Sequence, residues 1–156
     1  MNPLAREYLE DAYEFHIRGE IEEAIDLYKK SLEIEPSAQA YTFLGWAYSH
    51  QGNLEEAIKR CFQAIELDPE FGNPWNDIGA YYIQQGRLEE AIPYLKQAMT
   101  AKNYEAYHYP HCNLGRIYLL QHKYLEATAE FRKALEIEPG YKLAAIHLAR
   151  LQGMMN

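Results

Sequence analysis

The feature that most restricts this chain is that it resembles itself. Arg18-Gly19-Glu20-Ile21-Glu22-Glu23-Ala24-Ile25 returns as Gln51-Gly52-Asn53-Leu54-Glu55-Glu56-Ala57-Ile58 and again as Gln85-Gly86-Arg87-Leu88-Glu89-Glu90-Ala91-Ile92. A worn fourth copy stands at Gln121-His122-Lys123-Tyr124-Leu125-Glu126-Ala127-Thr128. Measured on the alanine, the steps from Ala24 to Ala57, Ala91 and Ala127 are 33, 34 and 36 residues. A period near 34 belongs to a short supersecondary unit stacked in an array, because one such unit cannot bury its own apolar face.

Each period holds two helices. In the second unit Tyr41, Leu44, Gly45 and Tyr48 recur at steps of three, one and three, as one face of a helix requires. Gly52 can then take the left-handed conformation that stops a helix, and Asn53 can cap the next one. Glu55 and Glu56 follow in the first turn, where the helix dipole favours carboxylates. Leu54, Ala57, Ile58, Cys61, Ala64 and Ile65 supply a second apolar stripe, and Asp68-Pro69 closes it because proline disfavours a helical residue before it. Two antiparallel helices joined by a short turn make an αα-hairpin.

Aligned by phase, the large first-helix residue is Tyr8, Tyr41, Trp75 and His111, the small residue after it Ala12, Gly45, Gly79 and Gly115, and the next aromatic Phe15, Tyr48, Tyr82 and Tyr118. The second helix repeats Ala24, Ala57, Ala91 and Ala127, and the terminating position reads Pro36, Pro69, Asn103 and Pro139. This pattern closely resembles the tetratricopeptide repeat, over roughly residues 5 to 141. The resemblance implies an all-α, right-handed superhelical solenoid of four hairpins in one domain, 1–156. The repeats fall at about 5–37, 38–71, 72–105 and 108–141, with a capping helix over 142–153 that carries Ala144, Ala145, Leu148 and Leu151 at helical spacing. Two departures stand out. The junction between the third and fourth units is longer and holds Tyr104, Tyr107 and Tyr109, an aromatic cluster that predicts irregular stacking there. The fourth unit has His122 where the others have a turn glycine, which predicts the least regular hairpin.

Charge and motifs exclude more than they assign. The net charge of −8 repels phosphate and acidic lipid, so nucleic acid and membrane partners are not expected. Two cysteines in separate segments fit a reducing compartment, and the start of the chain has neither a basic head nor a long apolar run, so a cytoplasmic protein is expected. No phosphate loop, nucleophile elbow or zinc-protease helix appears, so the chain reads as no enzyme and as needing no cofactor. His108, His111 and Cys112 lie close in sequence but match no common zinc framework, and packing is the better reading.

In tetratricopeptide proteins the first helices line a concave groove for a peptide or helix of another protein, so the resemblance implies a protein-binding adaptor or scaffold. By phase its groove residues are Arg6, Leu9, Tyr13, His16 and Ile17 in the first unit, Thr42, Trp46 and His50 in the second, and Asn73, Asn76 and Ile83 in the third. The fourth unit adds Tyr109, Cys112, Arg116, Leu119 and Leu120. None of these is acidic, so the expected groove is apolar and mildly basic. The slots that would clamp a terminal carboxylate hold no cation, which disfavours an acidic chaperone tail. The capping helix carries Leu143 and Ile146 on one face and Leu148 and Leu151 on another, which leaves self-association as an alternative.

Overall fold

The computed structural model describes residues 1–155, which form nine helices: α1 (Pro3–Ile17), α2 (Ile21–Ile34), α3 (Ala38–His50), α4 (Leu54–Leu67), α5 (Gly72–Gln84), α6 (Leu88–Thr100), α7 (His108–Leu120), α8 (Tyr124–Ile137) and α9 (Lys142–Met155). Side chains cap the starts that the sequence marks. Asn2 accepts hydrogen bonds from the Leu4 and Ala5 amides, Ser37 from Ala40 at 3.1 Å, and Asn53 from Glu56 at 3.3 Å. Gly19, Gly52 and Gly86 end the first helices at φ of 84°, 79° and 75°. His122 takes the same left-handed place at φ 61°, and the turn bonds match: Lys123 N–H donates to Tyr118 at 2.8 Å, as Arg87 does to Tyr82. The fourth turn is therefore as regular as the others, contrary to expectation, and the cost is carried by the histidine backbone.

Helices pair as α1–α2, α3–α4, α5–α6 and α7–α8, and each second helix passes contact to the next hairpin, the last to α9. The hairpins thus stack into a right-handed superhelical solenoid. Small residues let the paired axes close. A Cβ on Gly45 would lie 2.8 Å from the Ala57 carbonyl oxygen, so α3 and α4 meet backbone to backbone. Ala24, Ala57, Ala91 and Ala127 are all fully buried, as are Tyr28, Cys61, Leu95 and Phe131 one turn on, so the repeating core is the one the phases predict.

The long junction is tied rather than loose. The Gly72 amide donates to the Asn103 carbonyl at 3.0 Å, the Asn103 amide to the Glu70 carbonyl at 2.9 Å, and the Lys102 amide to the Glu70 carboxylate at 3.0 Å. Together they form one isolated parallel bridge, Phe71 to Asn103, with no strand among the described residues. The expected aromatic cluster divides. Tyr104 covers Gly72 and meets Tyr107 edge-on at 5.3 Å, whereas Tyr109 turns away to Tyr141 at 5.5 Å. α9 lies on α8, burying Ala144 and Leu151 and stacking His147 on Phe131 at 5.0 Å.

Candidate binding groove

First helices of neighbouring units touch, α1 with α3, α3 with α5 and α5 with α7, whereas second helices make no comparable contact with one another. The first helices therefore line the inside of the curve. This geometry sorts the candidate residues. Leu9, His16, Thr42, Asn76, Ile83 and Cys112 are buried, and of the six Leu9 reaches an open surface, at the floor of a hollow over α1 and α3. All six belong to a pair of phases seven residues apart that points at the next first helix, which covers them. Arg6, Tyr13, Ile17, His50, Asn73, Tyr109 and Leu120 are exposed, and Trp46, Arg116 and Leu119 are half-buried.

A further phase comprises Glu10, Phe43, Asp77 and Asn113, each one residue after a buried position: Glu10 is exposed, Phe43 and Asn113 are half-buried, and the Asp77 carboxyl lies among the buried side chains of Cys61, Tyr81 and Tyr104. The accessibility of Glu10, Phe43 and Asn113 follows from the same helical geometry, so the interval of 33 to 36 residues would have found them. Two of its members are acidic, and Glu14 joins Glu10 on the rim of a hollow over α1 and α3. The rim of that hollow thus carries Arg6 together with both glutamates.

That hollow, about 620 Å³, is floored by Leu9, Tyr13 and Phe43, with Arg6, Gln39 and Met1 beside the two glutamates. An aromatic bed continues from it: the Tyr13 ring is 5.4 Å from Phe43 and 6.4 Å from Trp46, and Trp46 packs on His16 at 4.0 Å. His16 is held from below by the Tyr28 hydroxyl at 3.0 Å and from the open side by His50 at 2.8 Å. Burial, then the neighbouring His50, lowers His16 to about 4, so it is a neutral hydrogen-bonding strut at physiological pH.

The far half of the face is more polar. Arg116 donates to the Asn113 side chain at 3.0 Å, and Asn113 donates to Asn76 at 3.0 Å, which bridges α5 and α7. Asp77, beside them, is pushed up to about 7 by burial, with a hydrogen bond from Asn76 working the other way. His108, His111 and Cys112 do not converge. His111 bonds Glu130 at 2.7 Å, Cys112 sits in the core with Phe131, and His108 stacks near Tyr109 and Tyr141.

Comparisons with known proteins agree with the fold. Family models described as Tetratricopeptide repeat match residues 8–37, 38–71 and 70–140. No curated protein sequence matches the chain. Among solved structures, PilF of Pseudomonas aeruginosa superposes with a TM-score of 0.91 at 25% identity, over 97% of this chain and 69% of that one. PilW, described as a type IV pilus biogenesis factor, gives 0.89 at 19% identity, over 99% and 71%. MamA gives 0.75 at 25% identity, over 88% and 81%. No helix among the described residues is long and apolar enough to cross a membrane.

Proposed function

Because the chain belongs to the tetratricopeptide repeat family, we propose that it is a non-catalytic adaptor whose concave face holds a segment of a partner protein. The fold and the family support a protein-binding scaffold; the particular groove is our reading. One observation carries it. Tyr13, Phe43 and Trp46 form a continuous aromatic bed on the open inner face, with Tyr13 40% exposed at the mouth of the hollow. Interface energy concentrates in such aromatic anchors, and an uncovered contiguous set of them marks a contact surface. The negative net charge supports protein rather than nucleic acid as the partner, and two unpaired, buried thiols, Cys61 and Cys112, support residence in a reducing compartment such as the cytoplasm.

The test is a capture experiment comparing the parent with Tyr13→Ser, a change on an exposed ring that leaves the core alone. Proteins retained by the parent should be lost by the variant, with affinity for the principal one reduced at least tenfold and the helical circular dichroism unchanged. Equal capture by both would place the working surface elsewhere. A second reading rests on α9, where Leu143 and Ile146 are 39% and 50% exposed on one face. Self-association through that face predicts a dimer by light scattering that Ile146→Lys dissolves; a parent monomeric at high micromolar concentration ends that reading.

A further inference from the structure

Three phases of the first helix recur in every unit on the side that meets the second helix before it. In α3 they are Ala40, Leu44 and Ala47, all fully buried in the cluster that holds Ile25 and Tyr28 of α2. α5 places Pro74, Ile78 and Tyr81 there, buried against α4, and α7 places Pro110, Leu114 and Ile117 there, buried against α6. α1 differs: its members are Glu7, Asp11 and Glu14, and all three are exposed. They form one stripe, because steps of four and seven residues return to nearly the same side of a helix. Leu4, 49% exposed, stands a turn before Glu7 on the same flank. Little neutralises the stripe. Glu7 and Asp11 have no ion-pair partner among the described residues, Glu14 stands 4.0 Å from Arg18 in an exposed pair, and Lys30 lies over the Tyr8 ring at 5.8 Å.

The other end of the stack has the opposite sign. α9 holds Lys142 and Arg150 and no carboxylate side chain. In the four earlier units the phase of Leu9, Thr42, Asn76 and Cys112 is buried under the following first helix; in α9 it is Ile146, 50% exposed. Lys142, Ile146, Ala149 and Arg150 fall on one side of α9, and all four are exposed. The lengths agree. At about 1.5 Å per residue, Glu7 to Glu14 spans about 10 Å and Lys142 to Arg150 about 12 Å.

We infer that the acidic flank of α1 receives α9 of a second copy, head to tail, with Ile146 seated beside Leu4 and with Lys142 and Arg150 meeting Glu7, Asp11 and Glu14. This rests on the reading of α9 as a self-association surface, and it names the different surface that α9 meets. Two α9 helices paired with each other would set cations against cations, whereas head-to-tail contact joins opposite charges. It also leaves one free head and one free tail on every assembly, so the row stays open. A polar outer face at the end of a stack serves solubility, but three carboxylates with no cation among them reject ends of their own sign and accept a basic one. The net charge of −8 repels two copies at long range, so the contact is weak and assembly belongs to high micromolar concentration.

Light scattering on the intact chain at physiological salt, from low to high micromolar concentration, provides the test. The mean mass of the parent should climb with concentration through dimer and beyond. Glu7→Lys/Asp11→Lys and Lys142→Glu/Arg150→Glu should each stay monomeric with helical circular dichroism unchanged. Their equimolar mixture should regain the parent's mass, because each reversed end then finds its opposite. Glu7→Gln/Asp11→Asn removes charge without reversing it, should weaken association at least threefold, and carries the test if a reversed variant fails to fold. Assembly that Ile146→Lys abolishes but the head variants leave intact is symmetric pairing through α9; it overturns the head-to-tail contact and keeps the α9 reading. A mixture that stays monomeric overturns the pairing of the two ends. A parent monomeric throughout, or assembly indifferent to every variant, overturns both together.

Discussion

Replacing Gly45 by alanine adds a single methyl group where α3 and α4 come closest. That carbon would lie 2.8 Å from the Ala57 carbonyl oxygen and 3.4 Å from the Cys61 sulfur. The carbonyl belongs to α4 and cannot swing aside without loosening its own helical hydrogen bond. The two helices must then part by about half an ångström, the shortfall from ordinary van der Waals contact. Overpacking of this kind costs about 1–3 kcal/mol. Alanine in a helix interior returns about 0.8–1 kcal/mol relative to glycine. The net expectation is a loss of about 0–2 kcal/mol, centred near about 1 kcal/mol, or a few degrees in Tm for a chain this size. Two comparisons isolate the cause. At Gly79 the added carbon would press on the Cγ and a methyl of fully buried Leu95, more closely than at Gly45, so Gly79→Ala should cost at least as much; at Gly153 nothing lies within 4 Å, so Gly153→Ala should be neutral or stabilising. Urea unfolding followed by circular dichroism measures all three. A Gly45→Ala protein more stable than the parent would refute close backbone approach as the reason for glycine there.

Three further outcomes follow from the groove and the turns. Asp77 titrates at about 7 folded and about 3.9 unfolded, so the folded state holds a proton that the unfolded state has lost, and the parent loses stability as pH rises from about 4 to 7. Asp77→Asn should exceed the parent by about 1–3 kcal/mol above pH 7, with the gap closing toward pH 4 in urea titrations. His16 acts in the opposite sense. Its pKa is lowered to about 4, so stability complete above about 6.5 is lost as pH falls toward 4, and a His16→Gln protein, weaker overall, should lack that acid sensitivity. His122→Gly relieves a left-handed histidine and should raise stability by about 0.5–1 kcal/mol in the same assay; a decrease would mean that the 3.0 Å bond from His122 to Tyr124 matters more than the backbone.

The hairpins were legible because their signals are local. Ala57 must face Gly45 across a short turn, and the same spacing recurs with each unit, so period and phase locate the core without knowledge of the curvature. The groove depends on how tightly successive units nest, and that is set by contacts between residues about 34 positions apart. His16 illustrates the difficulty. Its phase points inward, but α3 approaches closely enough for Trp46 and His50 to close over it. Cys112 is buried for the same reason, against the core that α9 completes. Glu10 is the converse case, exposed because the nesting leaves it uncovered. The angle between neighbours, more than the character of any one residue, decides which positions face water.

The tie between Glu70, Gly72 and Asn103 bears on how the array comes apart. A linear stack unravels from its ends, each unit released when its neighbour leaves. Here the two mouths of the α5–α6 hairpin are laced together by backbone bonds that do not depend on the fourth unit's helices. Stripping away α9 and then α7–α8 leaves the lacing in place, so the third hairpin keeps its closed perimeter although its core loses Leu114 and Ile117. The junction that interrupts the sequence period thus acts as a firebreak: disorder spreading from the C-terminal end meets its first independent barrier at Asn103.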